Sequence, residues 1–221
     1  MTWVKICGMT NLEDALVAVD AGADAVGFVF YEKSPRNVSV ETAREIVEKL
    51  PADIEKVGVF VNESAERINS IVQAAGLTAV QIYAGESKPP DSGEWSPILD
   101  YKVIVALSSD QLRDDFVMTG ALPGTVAYAV LIDSGSGARP GGTGLTFEWG
   151  KQKQLVEFLM KTGKVIVAGG LTSANVNEAM NVLEPWGVDV VSGVEARPGK
   201  KDPQKVRAFV KAVREMDRRV G

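Results

Sequence analysis

No histidine occurs in this chain of 221 residues, and cysteine occurs once, at Cys7. Histidine is the usual general acid or base near neutral pH, so any proton transfer here must use other groups, with Cys7 and a carboxylate as first candidates. The same absence excludes a zinc site built from nitrogen and sulfur ligands, and no metal is expected. A single cysteine cannot form an internal disulfide, which fits a reducing compartment and a cytoplasmic location. No excess of positive charge is present: the net charge is −5, which argues against a general nucleic-acid binder. A local site for a small anion stays compatible with that balance. Long apolar runs are missing too, none approaching the roughly 18 residues of a membrane span. Met1-Thr2-Trp3-Val4-Lys5 lacks the basic and apolar regions of a signal peptide. Aromatics make up only 7%, and Trp3, Trp95, Trp149 and Trp186 are scattered as packing residues would be.

What is present is an alternation of short β-branched runs with longer amphipathic segments. Strands are predicted at Trp3–Ile6, Ala25–Phe30, Lys56–Val61, Ala79–Ile82, Val103–Ala106, Tyr128–Ile132, Val165–Ala168 and Val188–Val191. Several are nearly continuous Val/Ile runs, as expected of parallel strands covered on both faces. Helices are predicted after Asn11, a plausible N-cap, from Ser39-Val40-Glu41-Thr42, after Asn62-Glu63-Ser64, and over Phe147–Leu159, Ser173–Leu183 and Pro203–Val213, the last capped by Asp202. Ser108–Phe116 reads as a further helix. Gly85–Asp100 holds three prolines and reads as a loop or short helical turn. Eight such units predict a single (β/α)8 TIM barrel over residues 1–221, with a doubly wound open sheet as the competitor. No linker or charge block suggests a second domain.

In a barrel, function gathers at the C-terminal ends of the strands. Strand alternation puts Lys5 and Cys7 on one face and Val4 and Ile6 on the other. If Val4 and Ile6 pack on helices, Cys7 points into the barrel mouth; otherwise it is a buried core thiol. Lys5 then reads as a member of a barrel-core ion pair, its role open. Asp133 closes an apolar run, where a carboxylate is costly unless capped, paired or functional; a turn-capping role before Ser134-Gly135 is the alternative. Gly169-Gly170 and Ser192-Gly193 follow strands seven and eight, the usual phosphate position in barrels, although such glycines also make ordinary turns. Gly141-Gly142-Thr143-Gly144 is either a mobile cover or a plain turn. Arg36, after strand two, either grips a carboxylate with its fork or is a solvated loop arginine.

Seven blocks, in order and at barrel-compatible spacing, resemble one family. They are Lys5-Ile-Cys-Gly-Met-Thr10, Gly27-Phe-Val-Phe-Tyr31, Ser34-Pro-Arg36, Val57-Gly-Val-Phe-Val-Asn62, Gly141-Gly-Thr-Gly144 with Phe147-Glu-Trp149, Ala168-Gly-Gly-Leu171 and Val188-Asp-Val-Val-Ser-Gly-Val-Glu195. Together they are similar to phosphoribosylanthranilate isomerase, from residue 4 to about residue 213. The resemblance implies an Amadori rearrangement in tryptophan biosynthesis: N-(5′-phosphoribosyl)anthranilate becomes 1-(2-carboxyphenylamino)-1-deoxyribulose 5-phosphate. It implies Cys7 as general base, Asp133 as general acid, Arg36 on the substrate's carboxylate, and Gly169, Gly170, Ser192 and Gly193 around its phosphate. It implies no cofactor, a small phosphorylated substrate as the partner, no nucleic acid or membrane, and a monomer or homodimer. Two positions depart from the family pattern. Tyr83 stands where many members carry histidine, and Leu145 where a lysine is common.

Other readings are a different sugar-phosphate barrel enzyme, or a barrel that only binds its ligand. A metal-dependent pentose-phosphate epimerase would need histidine ligands. The related isomerase of histidine biosynthesis carries aspartate at the position of Cys7. Retention of Cys7 with Asp133 speaks against a pure binder.

Overall fold

The computed structural model describes residues 1–83, 96–98, 100–108, 127–133 and 149–220. Its centre is a closed parallel barrel in which eight strands pair in chain order and the eighth returns to the first. The strands are β1 (Trp3–Cys7), β2 (Ala25–Phe30), β3 (Glu55–Val61), β4 (Ala79–Tyr83), β5 (Lys102–Ser108), β6 (Ala129–Asp133), β7 (Lys164–Val167) and β8 (Gly187–Val190). The closing β1–β8 register sets Lys5 directly opposite Asp189, and the β1–β2 register sets Cys7 opposite Gly27.

Six helices are described around the barrel: α1 (Leu12–Asp20), α2 (Val40–Val47), α3 (Ala65–Ala75), α4 (Trp149–Thr162), α5 (Val176–Leu183) and α6 (Pro203–Val220). The caps expected at Asn11 and Asp202 act where placed, and Ser39 and Ser64 cap the two helices between. The side-chain oxygens of Asn11, Ser39 and Ser64 accept from the backbone N–H three residues on, and Asp202 accepts from Gln204 and Lys205. After β8 the chain makes a 3-10 turn at Ser192–Val194 and a short hairpin of β9 (Glu195–Arg197) and β10 (Lys200–Lys201).

Two apolar layers result from the strand alternation. Outward side chains such as Val4, Ile6, Val26, Phe28 and Val188 join the helices in one cluster. Inward ones form a narrower cluster with many alanines, including Ala25, Ala79, Ala106, Ala129 and Ala168 around Ile104, Leu131 and Ile166. Small residues suit the tight interior of an eight-stranded barrel. Trp3 stacks on Trp186 at 5.2 Å, Tyr128 meets Trp186 edge-on, and the Lys164 ammonium lies over both Tyr128 and Trp186. These residues stand at the N-terminal strand ends, so they plug the bottom and leave chemistry to the top.

Several boundaries shift from the sequence expectation. Helix α5 begins at Val176 rather than Ser173, because the Asn175 side chain is spent on the preceding loop: its Oδ1 accepts from Thr172 N and its Nδ2 donates to Gly170 O. Helix α6 runs past Val213 to Val220, held by Arg214 on Asp24 and by Asp217 on Thr2. Ser108 belongs to β5, and the rest of the helix expected there lies outside the described residues. Within the expected 85–100 loop, Ser96–Ile98 is a 3-10 turn. Among the described residues, no helix is long and apolar enough to cross a membrane.

Candidate active site

Every described candidate from the sequence lies at the C-terminal end of the barrel. Cys7 ends β1 and Asp133 ends β6; both are buried. Val4 and Ile6 pack on the helical layer, so the condition for Cys7 to face inward is met. Beside Cys7, Lys5 is fully buried and donates from Nζ to Asp189 Oδ1 at 2.8 Å. Burial pushes the Cys7 thiol up from its ordinary value, with the Lys5 ammonium pulling the other way and the Asp189 carboxylate adding to the rise. Burial also works against the charge on Lys5, but Asp189 and the Cys7 sulfur outweigh it, and Lys5 stays above the usual lysine value. Lys5 is therefore a cation at neutral pH.

Across the mouth, the Tyr83 hydroxyl donates to Asp133 Oδ2 at 3.1 Å. Burial, together with the charges of Asp133, Asp189 and Cys7, pushes the Tyr83 phenol well above its ordinary value, so it remains a neutral donor. Those four side chains thus face one another electrostatically around the mouth.

One cavity is lined by Asp133, by Gly169 and Gly170 after β7, by Asp189 on β8, and by Ser192 and Gly193 beyond it. It joins the expected acid to the expected phosphate loops. Gly169 and Gly170 hold φ of +85° and +61°, in the left-handed region that side chains disfavour. At Gly193 a Cβ would sit 1.9 Å from the carbonyl oxygen of Leu171, so the two loops can approach each other only with glycine there.

Arg36 is not solvated. Its Nε and Nη2 donate to the two oxygens of Glu195 at 2.8 and 2.7 Å. The edge of the fork expected to meet a substrate carboxylate is thus occupied by a carboxylate of the protein. Among the described residues nothing accepts from Nη1. Glu195 also accepts from Lys201 Nζ and from the Gly199 N–H. Burial works against its charge, but the bonds from Arg36 and the charge of Lys201 dominate and hold its carboxyl below the usual range.

Sequence reasoning assigned no role to Asp189 or Glu195. The signal for Asp189 was a charged residue inside the apolar run Val188–Val191, the same signal that singled out Asp133. The Gly-rich loop at 141–144 and Leu145 lie outside the described residues.

A closed barrel with ionisable groups and two glycine loops at its C-terminal mouth is the architecture of barrel enzymes that act on phosphorylated ligands. Residues 4–212 match the family model for N-(5′phosphoribosyl)anthranilate (PRA) isomerase, and the chain belongs to that family. It is 44% identical to the N-(5′-phosphoribosyl)anthranilate isomerase of Pelobacter propionicus over 218 residues, which cover 97% of both chains. Among solved structures it is similar to phosphoribosyl anthranilate isomerase from Thermotoga maritima, with TM-score 0.82 and 39% identity over 97% of this chain and 100% of that one. A second similar structure is a phosphoribosyl anthranilate isomerase in complex with reduced 1-(o-carboxyphenylamino)-1-deoxyribulose 5-phosphate, with TM-score 0.80, 39% identity and the same coverage.

Proposed function

We propose that this chain converts N-(5′-phosphoribosyl)anthranilate to 1-(2-carboxyphenylamino)-1-deoxyribulose 5-phosphate, with Asp133 as general acid and Cys7 as general base. The observation that carries this reading is the pair of buried ionisable groups at the ends of β1 and β6, around one mouth with the two glycine loops.

The steps follow from the groups. Asp133 gives its proton to the ring oxygen of the furanose, and the C1′–O bond breaks to leave an iminium. That electron sink acidifies C2′–H, and the Cys7 thiolate takes the proton. The resulting enolamine tautomerises to the ketone. No electrons leave the substrate, so the step is an isomerisation. The reactive form holds one proton on the carboxyl and none on the sulfur, the reverse of the usual order of ionisation. Burial of Cys7 opposes this form and the Lys5 ammonium favours it.

Substrate binding divides between two ends of the mouth. The phosphate rests on backbone N–H groups of the loops at Gly169-Gly170 and Ser192-Gly193. The anthranilate carboxylate meets the end-on edge of Arg36, whose other edge Glu195 holds still. Tyr83 donates to one oxygen of Asp133 and so fixes the orientation of its carboxyl group. A free thiol as base suits a reducing cytoplasm.

The direct test is turnover. Added N-(5′-phosphoribosyl)anthranilate should lose its anthranilate fluorescence in the presence of the protein. Turnover of the aminoimidazole substrate of histidine biosynthesis in its place would assign the chain to the related isomerase instead.

A further inference from the structure

We infer that Lys5 is a positioning residue for the reaction, its ammonium anchored by Asp189 beside the Cys7 sulfur so that the thiolate forms against a fixed cation. This rests on the reading of Cys7 as the base.

Three geometric facts support it. First, Lys5 and Cys7 share the inward face of β1, and Asp189 stands directly opposite Lys5 on β8. Second, Gly27 lies opposite Cys7 on β2, and a Cβ there would meet Cys7 Sγ at 2.6 Å and Lys5 Cε at 3.1 Å. Sulfur and lysine stem therefore crowd around one point, in space that the missing side chain of Gly27 opens. Third, the Lys5–Asp189 pair is almost wholly buried. A buried pair of this kind contributes little or no net stability over apolar residues of similar size, because desolvation offsets attraction. Its placement beside a thiol gives it another use.

The chemistry asks for such a cation. A thiol in a dry barrel end resists ionisation, and a charge a few ångströms away acts strongly where water cannot screen it. Among the described residues, the charged groups facing Cys7 are Lys5 on its own strand, Asp189 on β8, Lys201 on β10 and Arg36 after β2, with the neutral Tyr83 on β4. Lys201 and Arg36 are both tied to Glu195, and Lys5 is tied to Asp189. Asp189 tempers Lys5: it keeps the ammonium charged and in place, and its own charge opposes the thiolate. Removal of Asp189 therefore has two opposed effects on the thiolate, whereas removal of Lys5 has one.

Cys7 is the only cysteine, so thiolate ultraviolet absorbance reports on it alone once the Cys7→Ser protein is subtracted at each pH. At a pH on the rising limb of the wild-type titration, Lys5→Met should lower the thiolate fraction by roughly tenfold or more. Should Lys5→Met fail to fold around an unpaired Asp189, the Lys5→Met/Asp189→Asn double variant replaces it, and it should show less thiolate than Asp189→Asn alone. Coincident curves for wild type and Lys5→Met, or equal curves for the double variant and Asp189→Asn alone, would each overturn the inference. The readout is independent of turnover. Normal turnover by Cys7→Ser would instead overturn the assignment of the base and leave the titration intact.

Discussion

Gly193→Ala should separate phosphate binding from folding. The added Cβ would stand 1.9 Å from the Leu171 carbonyl oxygen and 3.2 Å from Thr172 Cγ2, whereas real contacts of this kind stay beyond 3.0 Å. One loop must therefore shift by about 1 Å, enough to carry a normal N–H···O bond past its useful range. A hydrogen bond to a charged group contributes about 1.5–3 kcal/mol, so each one lost weakens phosphate binding by roughly 10–150-fold. The assay is thermal denaturation against inorganic phosphate at constant ionic strength. At phosphate equal to 100 times the wild-type Kd, the native state gains about 2.7 kcal/mol, or roughly 5–10 °C in Tm for a domain of this size. A variant weakened 100-fold should gain only ~0.4 kcal/mol, roughly 1 °C, at the same concentration. Because each protein is compared with itself, any loss of intrinsic stability cancels. Equal shifts in the two proteins, or none in the wild type, would place the phosphate elsewhere.

Replacing Arg36 with Met should raise KM by roughly ten- to a hundredfold with little change in kcat; a substrate analogue lacking the anthranilate carboxylate should not respond, and equal losses for both compounds would move Arg36 out of the carboxylate site. Tyr83→Phe removes the donor to Asp133 and should lower kcat about tenfold while KM holds, measured by steady-state turnover; an effect on KM alone would make Tyr83 a substrate contact. Acid should destabilise the fold through Glu195. Its carboxyl is held below the usual range in the folded state, so its contribution is present above the unfolded value near 4.5 and is lost as pH falls through the folded one. Tm measured through that range should fall less steeply for Glu195→Gln than for wild type, and parallel curves would refute the role of the pair.

Local signals placed the strands and several caps. The Val/Ile runs, the alternation within β1 and the Asn11 and Asp202 caps depend only on neighbours along the chain, and each lies where its pattern indicates. What the sequence concealed are pairings created by closure of the barrel. Lys5 and Asp189 are 184 residues apart and meet only because β8 returns to β1. Arg36 and Glu195 are separated by 159 residues, and Tyr83 and Asp133 by 50. No periodicity encodes such distances. Arg36 shows the consequence: its type pointed to a carboxylate, but one edge of its fork is held by the protein's own. The end of α6 was misplaced for the same reason, since Arg214 and Asp217 reach Asp24 and Thr2, whereas the start of α5 was misplaced for a local one, since Asn175 is drawn back to its own loop.

Whether Cys7 and Asp133 transfer the protons of the isomerisation can be read from single-turnover fluorescence with N-(5′-phosphoribosyl)anthranilate. Cys7→Ser and Asp133→Asn should each retain product binding and the folded barrel while the rate constant for the chemical step falls by about 10²–10⁴-fold. A near-normal rate in either variant, or a loss confined to substrate affinity, would contradict the assignment.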